Sequence, residues 1–162
     1  MLTYTIAFIL RRNEILLLNR ESPSWMGSWN GVGGKLEYDE SPRDCIIREI
    51  REETGIQLQN IAYKGTVTWN VDGHYYNGMY AFVAEIPGYF DYNTPIKTDE
   101  GILDWKKVDW ILHPENTGVA NLQYFLKEMI QGDQIYDYHF VYKDKQVEHF
   151  ERKELNALDE IK

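Results

Sequence analysis

The chain has 162 residues, 43% of them hydrophobic, which is enough for one domain with a sizeable core. It carries 17 basic and 26 acidic side chains, so its formal net charge is −9. Such a surface repels nucleic-acid polymers and anionic membranes, because basic patches carry both kinds of binding. Mononucleotides are not excluded, since bound metal ions can locally invert the sign of the field. The single cysteine, Cys45, excludes an internal disulfide and is interpreted as a small buried hydrophobe.

The N-terminal residues predict a β-hairpin. Leu2 to Leu10 and Ile15 to Asn19 are apolar runs, and the polar residues 11–13 between them predict a turn. The segment MLTYTIAFIL is too short to span a bilayer, and no cationic region precedes it. We therefore interpret it as a strand and expect a cytoplasmic protein with a single domain over residues 1–162.

Residues 34–56 contain the most informative pattern of the chain, GKLEYDESPRDCIIREIREETGI. Ser41 is a favourable N-cap, and Pro42 fits the first helical position because its missing N–H is not needed there. Gly55 adopts a left-handed conformation without strain and therefore ends helices well. The pattern predicts a helix from about Pro42 to Thr54.

This predicted helix carries Glu49, Glu52 and Glu53 within about one third of its circumference. Like charges at these spacings repel each other, so the cluster destabilises an isolated helix. One interpretation is a solvated charged face. The other is a site for a hard divalent cation, which takes oxygen ligands and removes the repulsion. The flanking Gly34, Glu40 and Gly55 favour the metal site.

The spacing matches G-x5-E-x7-R-E-U-x-E-E-x-G-U, where U is apolar, at Gly34, Glu40, Arg48, Glu49, Ile50, Glu52, Glu53, Gly55 and Ile56. Such a match arises by chance with a probability on the order of 10⁻¹⁰ per starting position. The segment resembles the signature of the Nudix hydrolases. The resemblance implies a metal-dependent enzyme that hydrolyses a diphosphate linkage, usually in a nucleotide. It also implies an α/β fold, an α/β/α sandwich around a mixed sheet.

The resemblance further implies a role for each residue of the segment. The backbone carbonyl of Gly33 and the carboxylates of Glu52 and Glu53 would bind the metal. Glu49 would be a further ligand or the general base, with Arg48 orienting the neighbouring carboxylates. Glu40 would support the loop. Mg²⁺ is the expected ion and Mn²⁺ the alternative, because both accept oxygen ligands in octahedral geometry.

The remaining residues predict strands, one helix and a terminal hairpin. In chain order we expect strands at 57–70 and 75–86, a loop at 89–98, a strand at 102–108, a helix at 116–130 and strands at 135–142 and 146–150. The Asp-Gly pair within 71–74 is a strong hairpin signal. Apolar residues at helical spacing indicate the late helix, which Gly132 would end. The final pair of strands would form a C-terminal β-hairpin extension within residues 133–162.

One candidate carboxylate lies outside the helix. Nudix enzymes often contribute such a group from a loop before the last strand, and TDEGILDW at 98–105 resembles that region. Glu100 is the candidate for a further metal ligand or the general base, and Asp99 is the second choice. The alternative is an acidic surface turn.

The segment WNGVGGK at 29–35 resembles the WNGxGGK segment of MutT-type enzymes, which remove oxidised purine nucleotides. The resemblance implies that Asn30 contacts the base, and its amide can both donate and accept hydrogen bonds. Lys35 and Arg20 are candidates for phosphate contacts, and an ordinary surface charge is the alternative for Arg20. One or two aromatic residues are expected to stack on the base, the candidates being Trp25, Trp29, Tyr75, Tyr76 and Trp105.

The predicted reaction is attack by metal-activated water on a nucleoside triphosphate, giving monophosphate and pyrophosphate. The leading substrate is an oxidised purine nucleotide such as 8-oxo-dGTP. The alternatives are an ordinary dNTP, ADP-ribose, a sugar nucleotide or an RNA 5′ end. A binding module that senses a nucleotide without cleaving it is the alternative from another class. We expect a monomer or homodimer with no nucleic-acid polymer or membrane as partner.

Overall fold

The computed structural model describes residues 1–22 and 27–156. The strands within them are β1 (Tyr4–Arg11), β2 (Glu14–Arg20), β3 (Trp29–Asn30), β4 (Ala62–Val71), β5 (Tyr75–Glu85), β6 (Ile96–Thr98), β7 (Gly101–Lys107), β8 (Tyr136–Lys143) and β9 (Gln146–Glu154). The helices are α1 (Pro42–Thr54), α2 (Val108–Leu112) and α3 (Leu126–Gln131), with a 3₁₀ turn at Leu122–Tyr124. No helix among these residues is long and apolar enough to cross a membrane.

The described strands form one mixed sheet in the order β6-β7-β2-β1-β5-β4-β8-β9, and β3 pairs with β2. The pairs β1–β5 and β4–β8 are parallel, and the other pairs are antiparallel. β1 is apolar on both faces because both faces are covered. Ala7 and Ile9 pack on the α1 side, whereas Ile6 and Phe8 pack on the side of α3. This arrangement confirms the predicted α/β/α sandwich.

Helix α1 has the predicted bounds, and its caps explain them. The Ser41 hydroxyl accepts a hydrogen bond from the Asp44 N–H at 3.1 Å, which satisfies one of the free donors of the first turn. Gly55 takes the left-handed conformation with φ 78°, and its N–H donates to the Arg51 carbonyl. Ile46 and Ile50 are fully buried against the sheet.

The late helix predicted at 116–130 is wrong as one continuous element. Residues 118–120 instead bond to β3: the Trp29 N–H donates to the Gly118 carbonyl, and the Ala120 N–H donates to the Trp29 carbonyl. Asn121 then takes φ 57°, and its Nδ2 donates to the Tyr142 hydroxyl at 2.6 Å. Pairing with a distant strand therefore outweighs the local helical pattern, and the helix is confined to α3.

Other boundaries also differ from the sequence prediction. Residues 57–61 are not part of a strand, because β4 begins only at Ala62, and the short helix α2 was not predicted. Residues 96–98, expected in a loop, form the edge strand β6, which pairs with β7. Gly132 ends α3 as predicted, with its N–H donating to the Glu128 carbonyl.

The predicted C-terminal hairpin is confirmed. Asp144 and Lys145 form its turn with φ of 51° and 67°, the geometry that suits a two-residue hairpin. The hairpin continues the main sheet, because β8 pairs with β4. The rings of Phe140 and Phe150 lie 4.8 Å apart between centroids and fasten β9 to β8. Residues 157–162 of the predicted extension lie outside the described residues.

Candidate active site

A cleft of about 410 Å³ opens beside the second half of α1, lined by Glu49, Glu52, Glu53, Lys97, Thr98, Asp99 and Glu100. The helix supplies the first three carboxylates. The connection between β6 and β7 supplies Asp99 and Glu100. The structure therefore brings the separate carboxylate Glu100 to the helix cluster, although 45 or more residues lie between them in sequence.

Arg48 holds the carboxylates of this helix in place. Its Nη1 donates to Glu49 at 2.9 Å and to Glu52 at 3.1 Å. Its Nε and Nη2 donate to both oxygens of Glu40 at 2.7 and 2.9 Å, and Nη2 also donates to the Lys35 carbonyl. These bonds lower the pKa of Glu40 to about 2. Glu40 thus anchors the guanidinium that orients Glu49 and Glu52.

Glu53 is the buried member of the cluster, with 8% of its surface exposed. Its Oε1 accepts the Gly33 N–H at 3.0 Å, whereas its Oε2 is buried without a hydrogen-bond partner among the described residues. Burial is the main cause that raises the pKa of Glu53 to about 7, and Glu49 and Glu100 raise it further. A buried carboxylate oxygen without a donor fits a cation as its partner.

The glycine pair that precedes the helix is required by close packing. A Cβ on Gly34 would lie 2.5 Å from the carboxyl carbon of Glu49. A Cβ on Gly33 would collide with the Thr5 carbonyl oxygen. Only glycine at both positions lets the backbone lie against β1 and leaves room for Glu49.

Arg20, at the end of β2, connects the groups around Glu53. Its Nη2 donates to the Gly33 carbonyl at 3.2 Å and lies 3.8 Å from Glu53 Oε2. Its Nη1 lies 3.7 Å from Glu100 Oε2. The guanidinium therefore touches three of the groups that the sequence predicts as metal ligands.

The carboxylates of the cleft and the Gly33 carbonyl are oxygen ligands of the kind that a hard divalent cation prefers. In this structure, arginine side chains contact them. Within residues 1–22 and 27–156, no three Asp, Glu, His or Cys side chains already surround one point closely enough to bind an ion. Arg48 draws Glu49 and Glu52 to one guanidinium, while Arg20 lies between Glu53 and Glu100. The side chain of Glu52 is 53% exposed, so it can change its rotamer within the cleft at little cost.

The three remaining predicted residues occupy different places. Asn30 pairs with Leu18, whose side chain packs on the α1 side, and its Oδ1 accepts the Gly31 N–H at 2.8 Å. Trp29 packs with the opposite core, under the Lys106 ammonium at 4.5 Å from its ring centroid, so the structure does not bring it to the cleft. The side chain of Lys35 is exposed and does not line the cleft.

None of the other described stacking candidates lines the cleft either. Trp105 is 8% exposed and donates its Nε1–H to the Tyr92 carbonyl, which makes it a core residue. Tyr75 and Tyr76 are exposed at the start of β5. Trp25 lies outside the described residues.

Sequence reasoning missed Lys97, a cation at the cleft. It lies on β6, in the segment predicted as a loop, and its Nζ forms an exposed ion pair with Glu21 at 2.6 Å. Its position two residues before Asp99 was the one available signal. The pairing of its strand with β7 is a tertiary fact that the sequence pattern does not contain.

A mixed sheet between helices is typical of Nudix proteins, and so are carboxylates near the C-terminal end of a helix that a glycine pair precedes. Comparisons with known proteins agree with this assignment. The model of the NUDIX domain matches residues 1–132, so the chain belongs to the Nudix family. It is 39% identical over 101 residues to the uncharacterised Nudix hydrolase YvcI of Bacillus subtilis, covering 60% of each chain. It is 37% identical over 84 residues to the NAD-capped RNA hydrolase NudC of Pseudomonas putida, covering 51% of this chain and 29% of NudC.

Among solved structures, the chain resembles the mutator MutT protein of Bacillus halodurans with a TM-score of 0.76 and 26% identity. That likeness covers 92% of this chain and 95% of the other. It therefore extends beyond residue 132 into the C-terminal hairpin. By contrast, the chain spans less than two thirds of the length of the two curated relatives above.

Proposed function

We propose that the protein is a divalent-metal-dependent pyrophosphohydrolase of nucleotides. The observation that carries the proposal is the convergence of Glu49, Glu52, Glu53 and Glu100 on one cleft. The buried, unpartnered oxygen of Glu53 supports a cation as the missing partner. Membership of the Nudix family and the hydrolase names of its curated relatives agree with it.

Each side chain of the cleft has its own role in the proposed reaction. Glu52, Glu53, Glu100 and the Gly33 carbonyl would hold Mg²⁺, with Mn²⁺ as the alternative, and Glu49 would be a further ligand or accept the proton of the attacking water. Such an ion, when bound, lowers the pKa of water and neutralises diphosphate charge. Arg48 fixes the direction of Glu49 and Glu52 through its short hydrogen bonds.

The proposed substrate is a nucleoside triphosphate with an oxidised purine, such as 8-oxo-dGTP, cleaved to monophosphate and pyrophosphate. The WNGVGGK segment and the likeness to the Bacillus halodurans MutT protein support this choice. Asn30 would contact the base. Since its Oδ1 already accepts from Gly31, its Nδ2 is the group with no partner among the described residues and would donate to the purine.

A second candidate substrate is the 5′ end of a capped RNA, because the chain is similar to an NAD-capped RNA hydrolase over 84 residues. The net charge of −9 argues against a long polymer track, although a short 5′ end needs little of one.

The test measures Mg²⁺-dependent product release from 8-oxo-dGTP, dGTP, other dNTPs, ADP-ribose, a sugar nucleotide and NAD-capped RNA. Glu52→Gln is the inactive control, and Asn30→Ala tests base recognition. A preference for 8-oxo-dGTP that is lost in Asn30→Ala, with all turnover lost in Glu52→Gln, would support the proposal. Equal rates on all substrates would refute the oxidised purine, and binding without any metal-dependent turnover would indicate a non-catalytic nucleotide-binding module.

A further inference from the structure

We propose that Arg20 is a displaceable cation that holds the metal-binding groups in the metal-free protein and is released to the substrate phosphates when a metal binds. This inference rests on the proposed metal site and adds an order to it: metal first, phosphate second. It gives one side chain two positions, one against the ligands and one in the cleft.

Strand β2 places the guanidinium of Arg20 beside Glu53. Side chains alternate along a strand, so Arg20 points to the same face of β2 as Leu16 and Leu18. Both leucines are fully buried in the core under α1, which fixes this end of the strand. The side chain of Arg20 therefore begins at a rigid point beside Glu53 and reaches the Gly33 carbonyl, Glu53 and Glu100 at once.

The contacts of the Arg20 side chain with these groups are weak. The side chain of Arg20 makes one hydrogen bond, of 3.2 Å, to the Gly33 carbonyl. Its distances to Glu53 and Glu100 are 3.8 and 3.7 Å, and neither contact is a hydrogen bond. Glu53 Oε2 thus stays without a hydrogen-bond donor although a cation lies beside it. Arg20 neutralises the site without satisfying it, so an ion that binds oxygen directly at about 2.1 Å replaces it favourably.

The Arg20 guanidinium and a divalent metal ion cannot occupy the site together. A guanidinium and a dication in contact with the same three groups repel each other strongly, since both would lie within about 4 Å of the same oxygens. The side chain of Arg20 is 24% exposed, so it has a path away from Glu53. Its neighbour Glu100 lines the cleft, where a polyphosphate presents the paired oxygens that a guanidinium fork binds best.

The experiment measures Mn²⁺ and Mg²⁺ affinity of the full chain without nucleotide, by calorimetry and by the electron paramagnetic resonance signal of free Mn²⁺. The variants are Arg20→Gln and Arg20→Lys. Arg152→Gln is the matched control, because it removes the same charge from β9 at the other edge of the sheet.

Arg20→Gln should bind metal about tenfold more tightly than the wild type, which corresponds to a site free of guanidinium in about one tenth of wild-type molecules. Arg20→Lys should lie between the two, since its ammonium keeps the charge but cannot reach three groups as a fork. The control should match the wild type. With metal bound, Arg20→Gln should hold inorganic pyrophosphate more weakly than the wild type.

Equal or weaker metal binding by Arg20→Gln would overturn the inference, because Arg20 would then assist the ligands. Wild-type affinity in Arg20→Lys combined with tighter binding in Arg20→Gln would also overturn it, in favour of plain charge repulsion. A wild type that binds no metal at millimolar concentration would refute the proposed function as well. A wild type that binds metal and turns over, with no gain in Arg20→Gln, would refute only the role of Arg20.

Discussion

Arg48 and Arg20 contact different carboxylates around the same cleft, and their contacts differ in kind. Arg48 makes hydrogen bonds of 2.7–3.1 Å to three glutamates, and they raise its own pKa above the usual range of arginine. The side chain of Arg20 makes only one hydrogen bond, to the Gly33 carbonyl, and lies 3.7 and 3.8 Å from two carboxylates. Arg48 shares a helix with two of its partners, whereas Arg20 meets its partners only through the fold. The comparison separates an arginine that fixes ligands from one that yields to the metal.

The largest effect is expected from Arg48→Gln. It leaves Glu49 and Glu52 free to swing apart, and such misplacement costs about 10²-fold in turnover. Metal-dependent kcat on the best nucleotide measures the loss, with circular dichroism to confirm that the variant is folded. Arg51→Gln is the control, because Arg51 is exposed on the same helix. A loss below about threefold would show that the carboxylates orient themselves without Arg48.

Removing the anchor of Arg48 gives a smaller effect that depends on pH. The pKa of Glu40 is about 2 in the folded protein, below its ordinary value of 4.5, so its ion pair stabilises the fold above pH 4.5. That stabilisation is lost as the pH falls from about 4.5 toward 2. Glu40→Gln should therefore lower the free energy of unfolding by about 1 kcal/mol at pH 7, and the difference should vanish near pH 2.

Urea unfolding at pH 7, 4 and 2.5 measures this difference. Glu14→Gln serves as the control, since Glu14 lies 3.5 Å from Arg11 in a looser pair at a strand end. A Glu40→Gln difference that stays constant over this range would contradict the ion-pair explanation and indicate a packing loss.

The smallest effect concerns the mouth of the cleft, on the side of Arg20. Lys97 lines the cleft and Lys35 does not, so Lys97→Gln should raise KM for the nucleotide about 2–5-fold while Lys35→Gln leaves KM unchanged. The exposed pair of Lys97 with Glu21 is weak enough to release the ammonium to a phosphate. Initial rates at low ionic strength measure both variants. The reverse ranking would restore the phosphate contact that the sequence predicts for Lys35.

Local signals fixed the parts of the site that lie close in sequence. The caps Ser41 and Gly55 were sufficient to bound α1, and the 3.6-residue period put Glu49, Glu52 and Glu53 on one face. The C-terminal hairpin was predictable because polar residues between two apolar runs favour a turn. The failures lie where distant backbone groups compete, as at Gly118 and Ala120, which bond to Trp29 instead of continuing a helix.

The family signature, helix α1 and the carboxylate ligands that it presents could be read from the sequence, because they depend on neighbours within a few turns. The tertiary structure was needed to show that Glu100 and Lys97 line the same cleft and that Trp29 packs on the opposite face of the sheet. The tertiary structure also shows that Arg20 lies against Gly33, Glu53 and Glu100. The physical reason is that strand order and the alternation of faces bring remote residues together, and neither is contained in local periodicity.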